Sequence, residues 1–410
     1  MPFELPKVVC THRPTSICEV SFHKGGAVDG SGPRRRVLLF IKCLDLGGAE
    51  RLVVDLVAHH DRQSFDYEVA YVLKGHDGLV PEIEASGVKV HCLGSRGNWD
   101  LSWLPRYRRL LMEGQFDIVH SHLPLSSALG RLVTLTLPTS RRPVLVYTEH
   151  CLWDWHPSAV RFLNRVTIGK EKAVLAVSDV VRDGLAEPVR DRAEVVVHGI
   201  DFAVWRCTDE ERDEIRREVR QELGVADDEV LVLTVANLRK QKGYEVLLAA
   251  ARMLLDFGAP IRFAAVGIGP IREELETERR RLGLGDRFVF LGQRDDVMRL
   301  MAGSDVFALS SHYEGLPVVL MEATTLGMPI VVTRVGEIPN MIENGVDGLV
   351  VEPGDPKSFA EALVRVVEDK ELRVSLGRNA RIKSTRFDIR AAAARIELIY
   401  SDLLEERASA

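Results

Sequence analysis

A chain of 410 residues exceeds what one hydrophobic core usually serves, so two domains are expected. With 46% hydrophobic and 28% charged residues, the composition is that of a soluble globular protein, which excludes disordered and collagen-like chains. No run approaches the roughly 20 apolar residues of a membrane span, and a net charge of -6 argues against a general nucleic-acid binder. The N-terminus lacks a basic segment followed by an apolar run, so no secretory signal is expected. Six cysteines, at 10, 18, 43, 92, 151 and 207, show no CxxC spacing. They fit the reduced thiols of a cytoplasmic protein better than a disulfide framework or a zinc site.

Residues 1–33 carry Pro, Gly and Ser without apolar periodicity, and a tail outside the fold is expected there. From Arg35, RVLLFIKC reads as a buried strand closed by Gly47-Gly48 and followed by the helical AERLVVDLVAHH. YEVAYVL, GVKVHCL, FDIVHSH, PVLVYTEH, AVLAVS and AEVVVH continue the strand pattern, with helical spacing between most of them. Residues 34–200 therefore form one domain. A break at GIDFAVW (199–205) precedes the charged helix TDEERDEIRREVRQELG. The strands EVLVLTVA, IRFAAVG, RFVFLG, DVFALSS, PIVVTR and DGLVV then build a second domain over 201–385. Residues 386–410 read as a long helix, expected to pack back on the first domain. The class is α/β: two doubly wound, Rossmann-like parallel-sheet domains facing across a cleft.

In open parallel sheets ligands collect at the C-terminal ends of strands, so the loops there carry the candidates. After DVFALSS comes HYEGLPVVLMEATTLGMPIVVT. Pro317 suits a first helical turn and Gly327 its end. Glu314 and Glu322 stand with seven residues between them, the second about two turns into the helix. Carboxylates accept paired hydroxyl hydrogen bonds, Gly315 admits close backbone approach, and the helix N-terminus offers N–H groups. A loop glutamate and a surface helical glutamate is the competing account. In VANLRKQKGYEVLLAA, Arg239, Lys240 and Lys242 precede a helix that begins near Gly243. Cations there oppose the macrodipole, so the cluster either lies solvated or meets an anion such as a diphosphate. Gly47 and Gly48 form a tight βα turn or admit a phosphate. His120 and His122 flank Ser121 at a strand end. H-x-H can suggest a metal, but no third ligand stands at useful spacing, so no metal is expected.

The combination of E-G-L-P, the second glutamate and G-x-P-I-V resembles the E-x7-E signature of retaining glycosyltransferases of family 4, which have the GT-B fold. The resemblance spans about residues 35–385. It implies that Glu314 and the backbone of Gly315 and Leu316, with Pro317 and Val318 beside them, bind donor-sugar hydroxyls, and that Glu322 binds the nucleotide ribose. Lys242-Gly243 match the end of the family's G-R-L-x-x-x-K-G. Asn237 replaces its arginine and Arg239 follows two residues later, so Lys242 and Arg239 would take the diphosphate. Gly47 and Gly48 match the glycine-rich loop near the donor phosphates. Asp117 and His120 match the D-x-x-H segment, which puts His120 beside the reacting sugar, with Ser121, His122, Glu149 and His150 lining the acceptor side. Gly267 and Gly269 resemble the V-G-x-G-P turn below the donor; Arg272 stands where a dinucleotide fingerprint needs a third glycine. Arg294 in LGQRDDV would reach the base or phosphates. The family's G-G-x-P-E appears as Gly336-Glu337-Ile338-Pro339-Asn340, and its N-G-I-D as His198-Gly199-Ile200-Asp201.

The expected activity is retaining transfer of a hexose-type sugar from a nucleoside diphosphate sugar to a hydroxyl of a glycan, lipid-linked or small-molecule acceptor. No cofactor is expected, because protein cations and amides would neutralise the leaving diphosphate. Retention arises through a covalent carboxylate or by same-face attack; the absence of an obvious nucleophilic carboxylate favours the latter. Another GT-B enzyme such as a sugar-nucleotide epimerase or a phosphorylase, an NAD-dependent oxidoreductase and a non-catalytic sugar-binding protein are the alternatives. Residues 101–150 carry six arginines against three acids. There Arg106, Arg108 and Arg109 beside Leu104, Leu110 and Leu111 either cover the sheet as an amphipathic helix or rest on an anionic membrane. A cytoplasmic protein is expected, free or at the inner face of a membrane.

Overall fold

The computed structural model describes residues 34–45, 47–97, 99–205 and 208–409; the tail expected over 1–33, Cys10, Cys18 and Cys207 lie outside them. Seven strands build the first sheet: β1 (Arg35–Ile41), β2 (Phe65–Leu73), β3 (Lys89–Ser95), β4 (Ile118–His122), β5 (Val144–Glu149), β6 (Ala173–Ala176) and β7 (Ala193–Val195). Their order is β3-β2-β1-β4-β5-β6-β7, with every pairing parallel. Six more build the second: β8 (Val230–Val235), β9 (Ile261–Val266), β10 (Phe288–Gly292), β11 (Val306–Leu309), β12 (Ile330–Thr333) and β13 (Leu349–Val351). They lie in the order β10-β9-β8-β11-β12-β13, again all parallel. These are the runs that near-continuous apolar sequence marks as strands buried on both faces. In β1, Val37, Leu39 and Ile41 pack on one side of the sheet, while Leu38 and Phe40 pack on the other with Trp103 and Tyr107, as the period of two requires. Two such sheets, each covered by helices, make the architecture the GT-B α/β fold.

The helices that matter to the site are α1 (Gly48–Ala58), α2 (Leu104–Gly114), α3 (Asp209–Glu222), α4 (Tyr244–Asp256), α5 (Val318–Thr325) and α6 (Ile389–Ser409). A capping box starts α3: Thr208 accepts from the Glu211 N–H and the Glu211 side chain returns to the Thr208 N–H. α2 turns Tyr107 and Leu111 into the core and leaves Arg106, Arg108 and Arg109 exposed, so it covers the sheet. Among the described residues no helix is long and apolar enough to cross a membrane.

The chain passes between the lobes twice, side by side. The Ile200 N–H donates to the Phe387 carbonyl at 2.9 Å and the Ile389 N–H to the Ile200 carbonyl at 3.2 Å. Beyond this crossing α6 returns to the first lobe, where Ile389, Ala392, Ala393, Ile396 and Tyr400 join its core. Strand order reverses between β1 and β4 in one sheet and between β8 and β11 in the other. Open parallel sheets receive ligands at the C-terminal ends of such strands, and the loops leaving β1, β4, β8 and β11 carry the candidate residues. The lobes touch there: Leu52 of α1 is buried in the second lobe's core with Val318.

Candidate active site

The loop after β8 and the loop after β11 meet first. Lys240–Lys242 form one 3-10 turn, and Gly243, with φ of +62°, hands the chain to α4. That turn brings the Lys242 ammonium to both oxygens of Glu314, at 2.6 and 2.9 Å. Ser311 donates a further hydrogen bond to Glu314 Oε1 at 2.5 Å. The pair is mostly buried, with 15% and 7% of the two side chains exposed, so each charge depends on the other. Arg239 is exposed, and none of the described residues hydrogen-bonds or ion-pairs with its guanidinium.

The segment after Glu314 faces the first lobe. A β-carbon on Gly315 would lie 2.8 Å from the His150 carbonyl, Leu316 packs against Ala176, Val177 and Val181, and a β-carbon on Gly48 would lie 3.5 Å from Val318. Pro317 caps α5 from outside, so the helix starts at Val318. Glu322 is consequently about one turn into the helix and not two, at 3.6 residues per turn. Its carboxylate has no hydrogen-bond or ionic partner among the described residues. Burial, and then the Asp55 carboxylate of α1, push its pKa up to about 8 against the pull of Arg51. A half-buried carboxylate without a hydrogen-bond partner, at the lobe junction, can receive hydroxyl or other donor hydrogens.

The glycine turn after β1 has a second occupant. Glu50 folds back so far that a β-carbon on Gly47 would collide with its carboxylate, and the Cys43 thiol donates to Glu50 Oε1 at 3.1 Å. Burial chiefly raises the Glu50 pKa, with Asp45 adding to it. Gly47 thus makes room for an internal carboxylate, whereas Gly48 faces the other lobe.

The histidines fall out differently from the sequence expectation. His120 is fully buried; its Nδ1 lies 2.6 Å from Tyr400 Oη and its Nε2 2.7 Å from Thr148 Oγ1. Both nitrogens are occupied by partners within the first lobe. His122 ends β4 and shares a 2.9 Å hydrogen bond, Nδ1 to Nε2, with His150, and its own Nε2 has no partner. His198 adds a fourth imidazole, 5.7 Å from His150 between ring centroids, with neither nitrogen partnered. Burial holds all four neutral, His198 near a pKa of about 4 and the others well below their usual range.

Other expected residues are placed elsewhere. Ser121 points to the opposite face of β4 from the histidines and donates weakly to the Val146 carbonyl at 3.5 Å. Glu149 is completely buried and is spent on its own loop. It accepts from Tyr147 at 2.7 Å, from the Trp153 indole at 2.9 Å and from the N–H groups of His150 and Cys151. Arg294 follows β10 at the sheet edge, away from the strand reversal, and its guanidinium is shared by Asp296 and Glu222 of α3. Gly267 and Gly269 lie against the Ala236 and Leu238 carbonyls, where side chains would collide; they let the β8 and β9 loops pack.

Several contacts around the Glu314 loop emerge only in space. Gly336, at φ of +53°, abuts the Glu314 carbonyl where a β-carbon would collide, and the Glu337 N–H donates to the Gly315 carbonyl at 3.2 Å. Trp155 of the first lobe packs, tilted by 48°, on Tyr313 of the second at 4.4 Å between centroids, next to Glu314 in the chain.

The families described as Glycosyl transferases group 1 and Glycosyltransferase Family 4 match residues 215–383 and 46–204 respectively. The D-inositol 3-phosphate glycosyltransferase of Corynebacterium efficiens is 30% identical over 313 residues, 70% of this chain and 72% of the relative. The alpha-D-kanosaminyltransferase of Streptomyces kanamyceticus is 27% identical over 354 residues, 82% and 92% of the two chains. The UDP-Gal:alpha-D-GlcNAc-diphosphoundecaprenol alpha-1,3-galactosyltransferase of Escherichia coli is 24% identical over 380 residues, 88% and 95% of the two. In fold, Anabaena HepE, solved in complex with UDP and glucose, superposes with a TM-score of 0.77 at 23% identity, over 90% of this chain and 100% of that one.

Proposed function

Because the chain belongs to glycosyltransferase family 4, with the GT-B fold, we propose that it transfers a hexose-type sugar, with retention, from a nucleoside diphosphate sugar to an acceptor hydroxyl. The observation that carries this reading is the Lys242–Glu314 pair at the β8–β11 reversal, facing the glycine turn and the histidines of the other lobe. Donor entry exchanges the pair's partners: sugar hydroxyls bind Glu314, and Lys242 turns to the diphosphate. As the anomeric carbon–oxygen bond breaks, charge gathers on the diphosphate, and Lys242 stabilises it in a site that excludes water. Arg239, its side chain exposed and unpartnered among the described residues, is the second cation. Glu322 takes the ribose hydroxyls. This arrangement calls for no metal or other cofactor.

Same-face attack is the retaining route that the geometry supports. The acceptor oxygen bonds to the anomeric carbon as the diphosphate leaves, and its proton passes to a phosphate oxygen. Glu149, the acid that sequence places on the acceptor side, is committed to four hydrogen bonds from its own strand and loop and is not poised as a nucleophile. Of the alternatives, an oxidoreductase has no support, since Gly267 and Gly269 serve loop packing and not a pyrophosphate. UDP-hexoses are the first donors to test, because HepE is solved with UDP-glucose and the Escherichia coli relative is named for UDP-Gal.

That relative also acts on a diphosphoundecaprenol-linked sugar, by its name. The exposed Arg106, Arg108 and Arg109 of α2, with Trp99 75% exposed nearby in the chain, would suit a lipid-linked acceptor at the inner face of a membrane.

A thermal-shift panel of UDP, GDP, ADP and their hexose conjugates tests the reading, because a specific ligand stabilises the native state. One sugar nucleotide should raise the melting temperature and release its diphosphate when acceptors are added. Stabilisation by NADH alone, or by none of the panel, would overturn it. Diphosphate-sugar conversion without an acceptor would indicate the epimerase, and dependence on free phosphate the phosphorylase.

A further inference from the structure

His120 and Tyr400 lie 280 residues apart and meet in the core of the first lobe. Tyr400 is fully buried, its ring packed edge-on against Phe65 at 5.9 Å. Its hydroxyl is 2.6 Å from His120 Nδ1, while Thr148 holds His120 Nε2. With both nitrogens tied to hydroxyls, the ring is held in one orientation. His122 stacks on that ring at 4.4 Å between centroids and is bonded on its other side to His150. Of the ring nitrogens of His120 and His122, only His122 Nε2 is left, buried and without a partner, at the C-terminal end of β4 where an open parallel sheet meets its ligand.

We propose that Tyr400 is a positioning residue for sugar transfer: its hydroxyl pins His120, the pinned ring sets the stack beneath His122, and His122 Nε2 is thereby aimed at the sugar. This rests on the glycosyltransferase reading. Indirect support of this kind is common where a ring must be held to a fraction of an ångström, because a small misplacement of a reacting-site group costs heavily in rate. It also gives α6 a task beyond packing. The helix starts one residue past Asp388, which bridges Ile200 at the lobe crossing, so the segment joining the lobes also fixes the imidazole pair.

The test compares Tyr400→Phe with Ile399→Ala, a neighbouring buried position of the same core whose side chain has no group that can hydrogen-bond His120. The assay uses whichever of UDP-glucose, UDP-galactose, UDP-N-acetylglucosamine, GDP-mannose and ADP-glucose most stabilises the wild type. Tyr400→Phe should lower kcat by about tenfold or more with KM for the sugar nucleotide within about twofold. Ile399→Ala should keep its kcat although it melts at a lower temperature. Long-range proton–nitrogen spectra of histidine-labelled protein supply a readout that needs no substrate: Tyr400→Phe should shift the ring nitrogens of both His120 and His122. Unchanged His122 signals, or wild-type kcat in Tyr400→Phe, would overturn the proposal, as would an equal kcat loss in Ile399→Ala. Should no sugar nucleotide bind the wild type, the glycosyltransferase reading fails, and the spectra still decide the Tyr400 linkage.

Discussion

The Lys242 ammonium and the Glu314 carboxylate neutralise each other across 2.6 Å, although sequence motifs assign one to the phosphates and the other to the sugar. A buried ion pair loses several kcal/mol when one partner is removed, because the other is left uncompensated. The two substitutions should therefore separate. Lys242→Ala is expected to weaken nucleoside diphosphate binding and to lower turnover by about 100-fold or more, the scale of losing a group that stabilises developing charge. Glu314→Ala should abolish the advantage of the sugar nucleotide over the bare diphosphate, yet hold or tighten the bare diphosphate, since Lys242 is released to it. Calorimetric titration of both ligands into both variants checks this, and a parallel loss of both ligands in Glu314→Ala would count against it.

Glu322 shows the cost of holding a site ready. Its pKa, pushed up to about 8, lies above the unfolded value, so the stability it lends is full below about pH 4.5 and disappears as pH rises through 8. Glu322→Gln should then raise the stability of the ligand-free protein by about 1–3 kcal/mol at pH 7–8 and by nothing near pH 4.5. The same variant should lose affinity for sugar nucleotides. Melting curves at the two pH values are sufficient; equal shifts at both would contradict the assignment.

The histidine row works in the opposite direction. His198, held near a pKa of about 4 by burial, contributes stability that is complete above pH 6.5 and is lost as pH falls from 6.5 through 4. The difference between wild type and His198→Phe should change by about 1.4 kcal/mol per pH unit over that interval, the wild type being the one that weakens. Denaturant unfolding at pH 7, 6 and 5 measures it; a constant difference would show that His198 titrates normally.

Gly336 holds the floor of the Glu314 loop. With φ of +53° and the Glu314 carbonyl in its β-carbon position, Gly336→Ala must move the Glu314 loop or abandon its own turn. A stability loss of about 2 kcal/mol or more is expected, with turnover reduced well beyond what the remaining folded fraction explains. Full activity in Gly336→Ala would mean that the Glu314 loop tolerates displacement.

The architecture was open to sequence reasoning because both sheets are parallel and buried on both faces: RVLLFIKC and EVLVLTVA are unbroken apolar runs that no solvent-facing strand would carry. Lys242 and Glu314 were legible for a related reason, since each follows a strand at which the sheet order reverses. What sequence missed involves distance along the chain. Tyr400 reads as one aromatic in an alanine-rich helix, and nothing local shows that it occupies His120. Glu149 and Arg294 reversed their meaning through partners: Trp153 and Tyr147 for the acid, and Glu222 and Asp296 for the arginine. The Gly47 position shows the same limit, because a glycine that suits a phosphate also suits a folded-back glutamate.

A crystal structure of the protein with the sugar nucleotide that stabilises it most tests the central idea most directly. The diphosphate should lie against Lys242 between the α5 start and the Gly48 turn, its ribose on Glu322 and its hexose on Glu314, the Lys242–Glu314 bond broken to admit it. A donor bound away from this junction, or one seated there with the ion pair intact, would contradict the account.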